Sequence, residues 1–223
     1  MKSKNNLQLL FAGCFFGFSI LDIVGLVWDI QWLQILSKPL LMTSLLALYL
    51  ASTKNKNIWY ITALLFSLLG DVFLLDKSNM FLLGVGSFLI TQLLYIKIFG
   101  KELPKHNKGK WIGAVVPFAI YLIVLMKLVS PALGSMFLPV LVYGITISVF
   151  GVVALLNYIL RKDQSSMVLL LGAFLFIVSD SMIALNKFYE PLYIYPVAIM
   201  LTYILAQYLI YRYVISTENH SVR

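Results

Sequence analysis

The chain has 223 residues, 61% of them hydrophobic by a broad count and only 12% charged, with a mean hydropathy of +0.92. A soluble domain is about half apolar and a quarter charged, and one of this size buries only about 70–75% of its unfolded surface, so a soluble enzyme, a disordered protein and a secreted disulfide scaffold are excluded. Seventeen Lys and Arg against nine Asp and Glu give a net charge of +8, but the basic residues fill short gaps between apolar runs, which points to membrane topology and anionic lipid heads rather than nucleic acid.

About 20 apolar residues span the hydrocarbon of a bilayer. On that measure the pattern predicts an all-α integral membrane protein, a bundle of about eight transmembrane helices forming one polytopic domain over 1–223. The first span, 7–27, has no small-residue cleavage site after it, so it is expected to be retained; it carries Asp22 and the single cysteine, Cys14. After a break at 28–30 comes 31–51, with Lys38-Pro39 inside it. A polar gap at 52–57 leads to 58–75, which holds the run Leu68-Leu69-Gly70-Asp71. The span 80–99 follows a short turn. Along it Phe81, Gly84, Phe88, Gln92 and Tyr95 recur at three- and four-residue intervals, one stripe of a helix. The loop 100–110 contains four lysines and His106. Beyond it lie 111–129 and 136–160, then 167–185 with Ser179-Asp180, and last 192–214 with a second stripe of Pro196, Met200, Tyr203, Gln207 and Tyr211.

Charge sorting gives an independent test of that count. With a cytoplasmic N-terminus, the inside segments hold Lys2, Lys4, Lys54, Lys56, Lys97, Lys101, Lys105, Lys108, Lys110, Arg161, Lys162, Arg212 and Arg223, 13 of the 17 basic residues. The outside segments hold three, Lys77, Lys127 and Lys187, and Lys38 falls within a helix. Such a bias favours eight spans with both termini cytoplasmic; the cell membrane is the expected location. A weak echo between the third and fourth helices and the last two, each pair placing Asp before Gln and Tyr, is the pattern of a parallel repeat; two polar sites demanded by function would look the same.

An ionisable group inside a bilayer costs a few kcal/mol, so such residues are functional candidates by default. Asp22, Lys38, Asp71 and Asp180 are the four. At about 1.5 Å per residue, Asp71 and Asp180 lie roughly 6–8 Å, and Lys38 about 10 Å, below the outer helix ends, a common depth that predicts a shared polar cavity. Gln92, Tyr95, Tyr203 and Gln207 extend it with groups able to bind a headgroup. Plainer roles stand beside these. Asp71 and Asp180 would serve as interhelical anchors paired with Lys38, Asp22 would be solvated near the interface, and the glutamines would act as interhelical glue. No histidine lies in any predicted span, so a zinc hydrolase is not expected, nor is any metal or cofactor. No Gly-x-Ser-x-Gly elbow occurs either. Carboxylate chemistry beside a lysine is what remains, one acid kept protonated by low dielectric and one carboxylate held ionised by a cation.

Lys38-Pro39, Gly70-Asp71, the Phe81/Gly84/Phe88/Tyr95 spacing, Ser179-Asp180 and Tyr203 with Ala206-Gln207 resemble, in that order, the YhhN-like or lysoplasmalogenase family of membrane proteins. The likeness runs over essentially the whole chain; Gln92 departs from it, standing where histidine is expected in many relatives. The resemblance implies a multi-pass hydrolase that cleaves the vinyl-ether bond of a lysophospholipid, releasing a fatty aldehyde and a glycerophospho-ethanolamine or -choline. It implies Asp71 and Asp180 as the catalytic pair, without saying which is the acid. Lys38 would hold phosphate or tune the nearest carboxylate, Gln92, Tyr95, Tyr203 and Gln207 would bind substrate, and Asp22, Gly70 and Ser179 would assist. A proton-coupled transporter and a non-catalytic lipid-binding protein would draw on the same residues.

Overall fold

The computed structural model describes residues 2–76, 79–101, 103 and 108–220, with side chains over 6–76, 79–101, 103 and 108–218. Lys77, Lys105, His106 and Arg223 lie outside the described residues, as do the side chains of Lys2, Lys4 and His220. Among the described residues every regular element is helical: α1 (Lys2–Val27), α2 (Gln31–Ser52), α3 (Ile58–Phe73), α4 (Phe81–Gly100), α5 (Lys108–Leu133), a 3₁₀ turn (Gly134–Met136), α6 (Phe137–Arg161), α7 (Gln164–Phe188) and α8 (Tyr195–His220).

Six helical segments among the described residues are long and apolar enough to cross a membrane, and Ile58–Phe73 is a shorter apolar helix. One of the six, Lys108–Arg161, runs for 54 residues, about 80 Å if straight, far beyond a hydrocarbon core of about 30 Å. The chain turns inside it. Gly134 takes a left-handed φ of 50°, which a residue without Cβ adopts without strain, and α5 and α6 pack on each other on either side of that turn. Large apolar side chains face outward along these helices, among them Ile112, Ile120, Ile123 and Leu138. A water-soluble surface does not carry such continuous apolar area. The chain is an all-helical, multi-span integral membrane protein.

Two compact units make up the chain, one running to Leu94 and resuming at Val214, the other comprising Tyr95–Tyr213. In the first, α1 and α2 form a helical hairpin. Asp29 turns it with a φ of 52°, and the Gly25 carbonyl accepts both the Ile30 amide at 2.8 Å and the Gln34 side-chain amide at 3.1 Å. Phe15, Leu41, Leu45 and Tyr49 are fully buried there. α2 continues unbroken through Pro39. Asn57 caps α3, its side-chain oxygen accepting from the amides of Trp59 at 3.0 Å and Tyr60 at 3.4 Å, as N-cap residues do. Above the cap, the Tyr49 hydroxyl accepts from the Asn57 amide at 2.7 Å and donates to Glu218 Oε1 at 2.8 Å. That second bond ties the end of α8 to the α2–α3 connection.

In the second unit Leu125, Val129 and Leu133 of α5 bury against Val140 of α6, with Ala184, Leu185 and Phe188 of α7 packed on them. A second cluster joins Ala114 of α5 to Val152 and Leu156 of α6. α6 ends at Lys162, whose φ of 52° closes the helix. α7 then starts on Asp163, whose carboxylate accepts from the Ser166 amide at 2.7 Å. That amide holds the Asp163 carboxyl below its usual range, against a smaller opposing effect of desolvation.

Candidate functional site

In the first unit, α1 presents Asp22 to α2. Its side chain is fully buried and accepts from the Ser37 hydroxyl at 2.8 Å and from the Lys38 ammonium at 3.4 Å. Lys38 is 13% exposed. Its place near the end of the apolar run leaves solvation and a functional role as alternatives. The structure removes the first: Asp22 is the buried acceptor of a charged pair, met by Ser37 and Lys38, adjacent on α2. Taking two charges out of water is tolerated only where hydrogen bonds compensate, and Ser37 supplies one.

Asp71 sits near the C-terminal end of α3, buried together with its neighbour Gly70. Gly70 faces α4 closely enough that a Cβ would lie 2.6 Å from the Phe88 ring. Glycine is required there because the buried ring of Phe88 already occupies the space of a side chain. One and two turns back along α3, Ser67 and Ala63 meet α4 at Thr91. The Ser67 and Thr91 hydroxyls are 3.2 Å apart, and Thr91 donates to the Ala63 carbonyl at 3.2 Å. The next residue on α4, Gln92, is fully buried, and neither its amide oxygen nor its amide nitrogen has a hydrogen-bond partner among the described residues.

The second unit holds the rest. Tyr95, Tyr203 and Gln207, from α4 and α8, come together as a buried group. The Tyr95 hydroxyl donates to Gln207 Oε1 at 2.8 Å, and Gln207 Nε2 donates to the Tyr203 hydroxyl at 3.3 Å. Aromatic rings enclose them: Phe150 lies 5.5 Å from Tyr95, and Phe176 stands edge-on to Tyr203 at 5.7 Å. On α7, Asp180 Oδ2 accepts a hydrogen bond from the Tyr143 hydroxyl of α6. Next to it, Ser181 is hydrogen-bonded to Tyr121 of α5 at 2.8 Å. Ser179 donates to the Ile199 carbonyl of α8 at 3.0 Å.

Thus Lys38 meets Asp22, and Tyr95, Tyr203 and Gln207 meet one another. Asp71 and Gln92 belong to the first unit and Asp180 to the second. Tyr143, Tyr121 and Ser37 were not singled out by sequence. A tyrosine in an apolar span carries no mark that separates a hydrogen-bonded side chain from a packing one. Only the four-residue offset between Tyr143 and Ile147, both turned inward on α6, hints at its face.

The sequence profile of the YhhN family matches residues 33–214, well over half of the chain. The chain belongs to the YhhN family. No curated protein matches it, and no solved structure does. The part of this YhhN chain that the family profile covers contains Lys38, Asp71, Gln92, Tyr95, Asp180, Tyr203 and Gln207, along with the newly placed Tyr143. Asp22 precedes it and Glu218 follows it. The Asp22–Lys38 pair therefore joins a family position to a residue outside the matched range.

Proposed function

We propose that the chain is a membrane-embedded hydrolase that cleaves the vinyl-ether bond of lysoplasmalogens, giving a fatty aldehyde and a glycerophospho-ethanolamine or -choline. Membership of the YhhN family supports it, and the observation that carries the chemistry is Asp71, a carboxyl group buried within an apolar helix. Eight membrane crossings with both termini cytoplasmic complete the proposal on the strength of the 13-to-3 division of basic residues, and the cell membrane is the location proposed with them.

A vinyl ether hydrolyses when a proton adds to its β-carbon. The cation left on the adjacent carbon and oxygen takes up water, and the resulting hemiacetal collapses to aldehyde and alcohol. The catalyst supplies a proton, stabilises positive charge and directs the water. A carboxylic acid and a carboxylate perform those tasks, and Asp71 and Asp180 are proposed for them. The Tyr143 hydroxyl on Asp180 keeps that carboxyl group oriented. Lys38, with an edge exposed beside Asp22, is proposed to hold the phosphate. Tyr95, Tyr203 and Gln207 would contribute a rigid wall to substrate binding.

Purified chain in detergent should release aldehyde from a vinyl-ether lysolipid and nothing from ester lysolipids. Asp71→Asn and Asp180→Asn should each slow release by about 10²–10⁴ while remaining folded. In heavy water, aldehyde trapped at once should carry one deuterium on the carbon next to the carbonyl. Trapped aldehyde without that label would exclude protonation at carbon. A transporter would move solute across sealed vesicles and yield no product.

A further inference from the structure

Two buried glutamines of this chain stand in opposite states. Gln207 is bonded at both polar atoms of its amide, accepting from Tyr95 and donating to Tyr203. Gln92 is equally buried, yet both polar atoms of its amide lack a partner among the described residues. The contrast holds within a single turn of α4, since Thr91 is bonded both to Ser67 and to the Ala63 carbonyl. Buried amides are rarely left unbonded in folded proteins, so an orphaned one of this kind marks where a ligand group is to be received.

The chemistry of that group follows from what the amide offers. A carboxamide carries two donors on nitrogen and an acceptor on oxygen. A phosphate or an ester carbonyl would use only the donors, and an ammonium only the acceptor. A hydroxyl uses both, because it donates and accepts at once.

We infer that Gln92 recognises a free hydroxyl group, the one on the middle glycerol carbon of a lysolipid, and so sets the preference for lysolipids over lipids acylated at that carbon. The inference rests on the hydrolase proposed above for its substrate class. A buried group built to hydrogen-bond a substrate hydroxyl rejects the analogue that lacks it, because the group is then left unpaired. An acyl chain on that oxygen would remove the donor and add bulk where Gln92 is already fully buried.

The test measures binding apart from turnover, on the purified full chain in detergent. The probes are a 1-O-alkyl lysophosphatidylethanolamine, whose saturated ether cannot be cleaved by protonation, and its 2-O-methyl twin. The free hydroxyl should improve Kd by about 10–100-fold, the discrimination expected when a buried hydrogen-bonding group is left unpaired. Gln92→Met, of similar volume, should bring that ratio close to one by weakening the hydroxyl probe, and Gln92→Leu should do the same. Neither variant should melt lower than the unaltered chain without ligand, since each removes an amide that makes no bond among the described residues; a marked fall in melting temperature would show that Gln92 serves the fold and would overturn the inference. Equal binding of the two probes would mean that the amide holds a water molecule, and would also overturn it. So would a preference that survives both substitutions. Aldehyde release from a vinyl-ether lysolipid is assayed in parallel. Failure there with the preference intact removes the hydrolase and leaves hydroxyl recognition standing, while release without the preference does the reverse.

Discussion

Asp22 and Lys38 illustrate how a charge is made tolerable in an apolar chain. Breaking a buried pair leaves one charge uncompensated, at about 3–5 kcal/mol, whereas replacing both partners by apolar groups is often neutral. Asp22→Leu and Lys38→Met should therefore each lower the melting temperature in detergent, and the double variant should recover most of the loss. Additive losses would show that the 3.4 Å contact contributes nothing. Tyr143→Phe removes a hydrogen bond to Asp180, which contributes about 0.5–1.5 kcal/mol to a neutral carboxyl and about 1.5–3 kcal/mol to an ionised one. Under the proposed chemistry it should cut kcat about 10–100-fold and displace the pH profile, with KM little changed. Gly70→Ala drives a methyl group into the Phe88 ring and should cost about 1–3 kcal/mol, read as a lower melting temperature. At this scale the ionisable residues were legible, because each stands out against an apolar run. Their partners were not. Ser37 and Tyr143 belong to residue types common in packed membrane helices, and only the folded chain shows which of them face a carboxylate.

Helices were legible wherever the apolar pattern was long, and their ends were less so. α1 begins at Lys2, α5 at Lys108 and α8 runs to His220, each beyond the apolar stretch that marks it. Hydropathy reports the residues that need lipid, while the backbone ladder continues as far as its hydrogen bonds are met. The same holds between α5 and α6. The gap at 130–135 containing Pro131 reads as a loop, but α5 continues through Pro131 to Leu133, and Gly134 makes the turn. The start of α7 gives a test of its own. Asp163→Ala should cost about 1 kcal/mol, the usual contribution of an N-cap, measured by thermal unfolding. The Asp163 carboxyl titrates below its usual value because the folded chain donates the Ser166 amide to it. Its contribution is therefore present above the unfolded carboxylate value, about 3.9, and fades as pH falls through the lower folded one. The gap in melting temperature between Asp163→Ala and the unaltered chain should close over that acid range.

Across the whole molecule, composition alone made a multi-span helical membrane protein legible, since 61% hydrophobic residues leave no soluble alternative. Division into two units was not legible, because one of them is assembled from stretches of chain on either side of the other. The proposed orientation gives a direct prediction. With Cys14→Ser as a cysteine-free background, a reporter cysteine at His106 should be shielded from an impermeant thiol reagent in intact cells, and one at Leu133 should be labelled. The opposite pattern would reverse the topology and carry Asp71 and Asp180 to the other leaflet.

The bond between Tyr49 and Glu218 spans 169 positions of sequence, and it imposes an order on biosynthesis. Residues up to Leu94 emerge first, but their unit is completed only by residues from Val214 onward. At about 5–20 residues per second, the 119 residues of Tyr95–Tyr213 occupy the ribosome for roughly 6–24 s. Throughout that interval the Tyr49 hydroxyl waits without its carboxylate. The first helices thus enter the bilayer long before the contact that clasps them exists, and a chain stopped short of Glu218 would present them in that waiting state to the cell's quality control.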